Sequence, residues 1–333
     1  MRTHKLDELV GKKCDTVLIP SSGMAPDMNL QYYSGIDATQ AGGAVLWRVG
    51  KDPVLVARDS KQKRKAKLVV RKDQKTVYRE LKKRRAKRIG VNMDYLSVNA
   101  AKKIRKESGA KLVDISKELK QVRAIKEKGE LKSISLACGE TRKALKKLRL
   151  LGRSEKAVYA DLVSSYAARG LPLAFDPIVA AGKNTGLIHT RPTATRIGKR
   201  DCVIIDTGCR VNGYCSDITI TRCEAPDSRT EGMLLSVFEA SKLALREARP
   251  GMKAKDLCES VKACFGRRAK YWAYGLGHGI GLGVHESPSL SLESDDVLEA
   301  GMVFTLEPGL VGPGQGARIE YTGVLTKNGF RVL

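Results

Sequence analysis

The sequence predicts an α/β chain in two domains, the first α/β and the second strand-rich. Three observations lead there. Its 333 residues exceed the size at which one hydrophobic core stops growing. Up to about residue 115, short apolar runs alternate with helical stretches, the pattern of an α/β layer. Beyond that the pattern becomes strand-rich and the charge balance shifts. Residues 1–150 carry 38 Lys+Arg against 16 Asp+Glu, and residues 151–333 carry 23 against 20.

Taken in order, residues 14–20, 44–49 and 53–57 are apolar runs bounded by Gly, Asp or Ser and read as strands. Residues 75–88 are helical in composition, with Val77 and Leu81 on one side and Lys82, Lys83, Arg84, Arg85 and Lys87 around the rest. Residues 89–91 and 111–113 read as further strands, separated by a helix near 98–106. From Ser116 to about Leu148 an apolar stripe passes through Leu119, Val122, Ile125, Leu131, Ile134 and Leu145. Gly129 and Gly139 interrupt it and predict two helices with a bend. Residues 154–170 form a helix capped by Ser154 and stopped by Gly170 and Pro172. Residues 226–249 and 253–267 are two more.

Composition excludes several classes. The start, Met1-Arg2-Thr3-His4-Lys5-Leu6-Asp7-Glu8, is charged and unlike a signal peptide. No apolar run approaches the roughly 20 residues of a membrane span, so a cytoplasmic protein without membrane attachment is expected. Eight cysteines occur, none in a C-x-x-C pair, which disfavours a thiolate zinc site. They are expected to be reduced, packed thiols. The net charge of +25, concentrated in the first half, allows a nonspecific phosphate-binding surface. The runs at 61–67 and 82–88 are its candidates.

Chemistry concentrates in the second half. Cys202-Val-Ile-Ile-Asp206 is an apolar strand ending in a carboxylate, and Asn212-Gly213 is a two-residue hairpin signal. That turn pairs Val211 with Tyr214 and places Asp206 opposite Thr219, diagonal to Asp217 at roughly 7–8 Å. Two such carboxylates among isoleucines repel, and each raises the other's pKa; for the hairpin alone, solvated carboxylates explain it equally well. Other elements favour the metal. His278 lies in Gly277-His278-Gly279-Ile280-Gly281, with His285-Glu286 close behind. The alternate glycines fit no nucleotide-binding register but permit close backbone or ligand approach. Met302-Val-Phe-Thr-Leu-Glu307 is a second strand ending in a carboxylate, and Arg318 and Glu320 share a strand face. Four carboxylates and one imidazole suit Mn, Co, Fe or Zn. Their charge is too much for one divalent ion and balances two, which would ready a water and polarise a carbonyl.

These stretches resemble the pita-bread metallopeptidases, the family of methionine aminopeptidase, aminopeptidase P and prolidase. The matching motifs are Ile205-Asp206-Thr207-Gly208, Gly213-Tyr214-Cys215-Ser216-Asp217-Ile218-Thr219, Gly277-His278-Gly279-Ile280-Gly281 with His285-Glu286-Ser287-Pro288, Thr305-Leu306-Glu307-Pro308-Gly309 and Arg318-Ile319-Glu320. Tyr32-Tyr33-Ser34-Gly35 and Arg123-Ala124-Ile125-Lys126 resemble the N-terminal domain of the prolidase and aminopeptidase P branch. The resemblance implies a creatinase/prolidase-like α/β domain over residues 1–118. A pita-bread α+β catalytic domain with a curved, mainly antiparallel sheet would follow over residues 119–333. It implies a peptidase that hydrolyses Xaa-Pro bonds, as a dipeptidase or an aminopeptidase, with two divalent ions, Mn or Co before Zn or Fe, and a homodimer.

Residue by residue, the resemblance makes Asp206, Asp217, His278, Glu307 and Glu320 metal ligands, Asp217 and Glu320 bridging. Glu307 would also carry the proton. His189 and His285 would act on the substrate side in catalysis and binding, His285 near the scissile carbonyl, and Arg318 would meet a substrate carboxylate. Core packing is the competing account of His189. Departures from the family pattern, Ile220 between Thr219 and Thr221, Gly283, and Ser289 where dipeptidase-like members carry Arg, leave the ligands untouched but put strict dipeptide specificity in question. Two other readings compete: an inactive or weak member acting as a nucleic-acid or protein binding module through the basic half, and a metal-free enzyme of the creatinase type. Scarce aromatics in the basic runs argue against base stacking, and the complete ligand set argues against both.

Overall fold

The computed structural model describes residues 2–21, 26–38, 42–57, 67–70 and 75–333. Most of the basic run at 61–67 lies outside them. The chain divides into two compact units, Met1–Arg123 and Ala124–Leu333.

The first unit is a six-stranded sheet with helices on both faces. Its helices are α1 (Arg2–Val10), α2 (Met28–Ser34), α3 (Thr76–Lys83), α4 (Val98–Ser108) and α5 (Ser116–Ala124), the last extending one residue past the division. Its strands are β1 (Thr16–Ser21), β2 (Gly43–Arg48), β3 (Val54–Ala57), β4 (Lys67–Val70), β5 (Arg88–Val91) and β6 (Lys111–Asp114), in the order β4-β3-β2-β1-β5-β6. β1 and β2 lie centrally and are buried on both faces, so they read as unbroken apolar runs rather than as alternation. Leu18 and Leu46 pack with Leu81 of α3 and Ile104 of α4. On the opposite pleat, Trp47 rests against Tyr33 of α2 at 5.0 Å, and its indole N–H donates to Asp7 of α1.

Two expected boundaries move here. α3 ends at Lys83 rather than at 88, because Arg85 takes a φ of 50° and the chain turns into β5. The Asp15 carboxylate accepts from the backbone N–H of Arg88 at 2.7 Å and fixes that turn. The units part at Arg123/Ala124 rather than at 118/119, because α5 packs as a whole, burying Leu119 and Val122.

The second unit carries α6 (Lys128–Lys146), α7 (Glu155–Ala167), α8 (Ser228–Glu247) and α9 (Ala254–Cys264) on antiparallel ladders. One sheet runs β11 (Ile218–Arg222), β8 (Val203–Thr207), β7 (Ile178–Ala181), and β9 (Arg210–Val211) pairs with β10 (Tyr214–Cys215) beyond it. A second sheet runs β13 (Glu286–Leu290), β12 (Gly277–Gly279), β14 (Val303–Leu306), β17 (Tyr321–Thr326), β18 (Gly329–Val332), and β15 (Gly309–Gly312) pairs with β16 (Gln315–Arg318). Val237 and Ala244 of α8 and Leu257 and Val261 of α9 share a core with Phe304, Leu306 and Leu325. α6 and α7 meet β8 through a buried hydroxyl cluster, Tyr166 lying 3.2 Å from Thr207 and 3.4 Å from Thr141.

The break before α6 falls at residues 125–127, not at Gly129 or Gly139, which lie inside the helix. Ile125 bridges to Met302, the Lys126 N–H donates to the Gly301 carbonyl at 2.9 Å, and Glu127 with Glu130 forms a reciprocal cap. Long-range pairing here overrides the local glycine signal. Among the described residues no helix is long and apolar enough to cross a membrane.

Candidate metal centre

The hairpin carrying the first two carboxylates follows from its turn. Asn212 and Gly213 take φ of 53° and 84°, the left-handed pair a type I′ turn requires. The register is the expected one: Val211 faces Tyr214 and Asp206 faces Thr219. A Cβ on Gly208 would fall on the Ser216 carbonyl, so glycine lets the strands close where Asp206 and Asp217 sit. His278 stands on β12, and its N–H donates to Thr305 Oγ1 at 3.2 Å. Glu307 leaves the end of β14 with its N–H on the Leu276 carbonyl at 2.8 Å. Glu320 enters between β16 and β17, held by its N–H on the Thr219 carbonyl at 3.0 Å and by the Thr219 hydroxyl on Oε2 at 2.8 Å.

Ladders far apart in sequence thus bring all five expected ligand positions to one cavity of about 500 Å³, within the size range of small-ligand sites. One ligating atom each of Asp217, His278 and Glu320 lies within 4.8 Å of the others. His278 Nε2 stands 3.6 Å from Asp217 Oδ2 and 3.5 Å from Glu307 Oε1. Its Nδ1 lies 3.1 Å from the Gly279 carbonyl. That contact assigns the proton to Nδ1 and turns the Nε2 lone pair toward the carboxylates.

In a protein without cations this arrangement is unfavourable. Burial, then Glu320 and Asp206, raise the Asp217 pKa well above the carboxylate range. Burial, then Glu307 and Asp206, do the same for Glu320. Burial lifts Glu307 to about 7, against the pull of Arg318. Burial drives His278 down to about 4, so it is neutral at physiological pH. Asp206 Oδ1 and Asp217 Oδ1 are buried and accept no hydrogen bond from any described residue. Buried acceptors without donors are rare and fit a cation. Carboxylate oxygens with one imidazole nitrogen fit a divalent ion of the Mn, Co, Fe or Zn type.

The substrate-side expectations divide. His285 is exposed and stacks edge-on over His278, ring centres 4.2 Å apart, and His189 is exposed on the same cavity wall; core packing does not account for it. Arg318 departs from its expected role. Its guanidinium is buried, donating to Asp206 Oδ2 at 2.5 Å and Thr219 Oγ1 at 3.2 Å. Burial opposes its charge, but Asp206, Tyr274, Glu307 and Glu320 together outweigh that and raise its pKa. Its Nε and Nη2 are committed to Thr219 and Asp206.

Cys202 and Cys223, directly across the β8–β11 ladder with Cα atoms 4.4 Å apart, form a disulfide. This corrects the expectation of eight reduced thiols: the hairpin register that places Asp206 opposite Thr219 also places these two face to face. The remaining cysteines are free, and all but Cys264 are buried.

Several supporting residues were not singled out from the sequence. Glu155, fully buried, accepts from the Ala181 and Thr193 N–H groups, the Asn184 amide and the Thr193 hydroxyl. It pins both ends of the segment carrying His189. Glu286 accepts from the Gly283 N–H at 2.7 Å and pairs with Lys126 at 3.4 Å, side chains 7 % and 1 % exposed. Phe175, Asp176, Ile178, Arg191 and Val284 complete the cavity wall. Glu155 lay beside the Ser154 cap, a recognisable signal; the others become neighbours only through tertiary pairing.

Comparison with known proteins places this geometry. The model of metallopeptidase family M24 matches residues 97–327, and that of the creatinase/prolidase N-terminal domain matches residues 2–125. An Xaa-Pro dipeptidase of Pyrococcus furiosus is 32% identical over 344 aligned positions, covering 99% of this chain and 97% of its own. The crystal structure of a prolidase from Pyrococcus horikoshii superposes with a TM-score of 0.90 at 30% identity, covering 99% and 97% of the two chains. That of an X-Pro aminopeptidase from Thermotoga maritima gives 0.87 at 27%, covering 98% and 97%. With its acidic cavity set where one family's model matches most of its length, the chain belongs to metallopeptidase family M24 and is a metal-dependent peptidase.

Proposed function

We propose that this peptidase cleaves Xaa-Pro bonds at a two-ion centre held by Asp206, Asp217, His278, Glu307 and Glu320. The observation that carries the reading is the convergence of four carboxylates on a neutral imidazole in one cavity, with two buried carboxylate oxygens lacking donors. Two ions of the Mn or Co type, bound there, would supply Lewis acidity to a water and to the scissile carbonyl. Asp217 and Glu320, the most enclosed of the carboxylates, would hold the ions together with Asp206, His278 and Glu307.

The chain's own groups do the rest. Glu307 lines the cavity, and the family resemblance gives it the proton taken from the attacking water and passed to the departing proline nitrogen. His285, whose pKa partial desolvation lowers against the pull of Asp206, offers a ring N–H to the developing oxyanion. His189 borders the substrate path. Arg318 orients Asp206. Preference for Xaa-Pro substrates rests on the named activities of the relatives; pairing of two copies rests on the family resemblance and is checked by sedimentation. The binding-module alternative loses support, because every ligand position is filled and all five line one cavity. Assaying Xaa-Pro dipeptides and longer Xaa-Pro peptides with added Mn or Co tests the proposal. Metal-dependent release of the Xaa residue is expected; no cleavage of either class, or cleavage indifferent to chelator, would overturn it.

A further inference from the structure

Building on the peptidase reading above, we infer that Arg191 is the specificity-determining residue that holds the free C-terminal carboxylate of the substrate. The cavity wall contains two guanidiniums, those of Arg191 and Arg318. Arg318 is buried and engaged by Asp206 and Thr219. Arg191 is exposed on the wall, and among the described residues no hydrogen bond or ion pair occupies its guanidinium. Asp176 borders the same cavity, yet its carboxylate takes the Tyr159 hydroxyl at 2.7 Å and makes no ion pair with Arg191.

The segment presenting Arg191 is anchored. The buried carboxylate of Glu155 grips it before and after, through the Asn184 amide, the Thr193 N–H at 2.7 Å and the Thr193 hydroxyl at 2.6 Å. A guanidinium on a pinned segment loses little freedom when it closes a bidentate pair with a carboxylate. Electrostatics select the ligand. Arg318 is paired with Asp206, so Arg191 is the guanidinium of the cavity wall open to an anionic chain end. A small peptide with a free α-carboxylate therefore gains what its amide or a longer peptide does not. The site is that of an enzyme acting on short peptides with free C-termini.

Steady-state kinetics on Ala-Pro and on Ala-Pro amide, with wild type, Arg191→Ala and Arg191→Lys, test the assignment. Wild type should favour the acid about tenfold or more in kcat/KM, the scale of one charge-assisted hydrogen-bonded pair. Arg191→Ala should raise KM for the acid by that factor and leave both constants for the amide within about twofold, and Arg191→Lys should restore part of the preference. An acid-to-amide ratio that is the same in wild type and Arg191→Ala would overturn the assignment while leaving the peptidase intact. Cleavage of neither compound by metal-loaded wild type that still cleaves longer Xaa-Pro peptides would also overturn the assignment, and cleavage of no Xaa-Pro peptide would remove the peptidase reading with it.

Discussion

At the residue scale the site is a set of groups made mutually unfavourable until a cation arrives. Asp217, Glu320 and Glu307 all have pKa values raised chiefly by burial. In metal-free protein the folded chain therefore holds protons the unfolded chain has already lost between the ordinary carboxylate pKa, near 4.5, and about 7 for Glu307. Where the native state binds more protons, stability falls as pH rises. Thermal unfolding in chelator should give a Tm that declines from pH 5 to pH 7.5, with the decline reduced in Glu307→Gln; an unchanged profile in that variant would contradict the assignment. Asp217→Asn keeps the shape of the side chain but loses the charge proposed to hold the ions. It should reduce kcat/KM about a hundredfold or more, beyond the 10–100-fold typical of groups that merely support ligands.

At the element scale the hairpin was legible from sequence because one dipeptide dictates it. Asn212-Gly213 admits a single common turn, the turn sets the pairing sum, and the sum carries Asp206 to Thr219. The helix break before α6 was not legible, because the Ile125–Met302 pairing that causes it spans most of the catalytic unit. The Glu286–Lys126 pair was hidden for the same reason. Lys126 enters just before α6, and Glu286 closes the turn that carries His285. Glu286→Ala removes one partner of a nearly buried ammonium and should lower stability in urea unfolding, whereas Lys126→Met combined with Glu286→Gln should cost less. Equal losses would mean the charge pair is not what holds that turn. Gly208→Ala pushes a methyl onto the Ser216 carbonyl and should weaken metal affinity by spreading Asp206 from Asp217.

At the scale of the whole molecule the proposed centre would draw its ligands from both sheets of the second unit: Asp206 from β8, Asp217 at the start of β11, His278 from β12, Glu307 after β14, Glu320 before β17. A cation held as proposed would cross-link these ladders, so metal loading should raise the Tm of the full chain with concentration, the stability gain reaching about 4 kcal/mol at a thousand times Kd. That these five residues line one cavity could be anticipated in the primary sequence, since each closes or flanks an apolar strand. The service of Arg318 to Asp206 rather than to substrate was not, because an arginine two residues from a ligand reads the same whichever way its guanidinium turns. Anomalous diffraction from crystals of Mn-loaded protein tests the central claim most directly. Two adjacent peaks enclosed by Asp206, Asp217, His278, Glu307 and Glu320 are predicted; a cavity without a peak, or ions bound by other side chains, would contradict it.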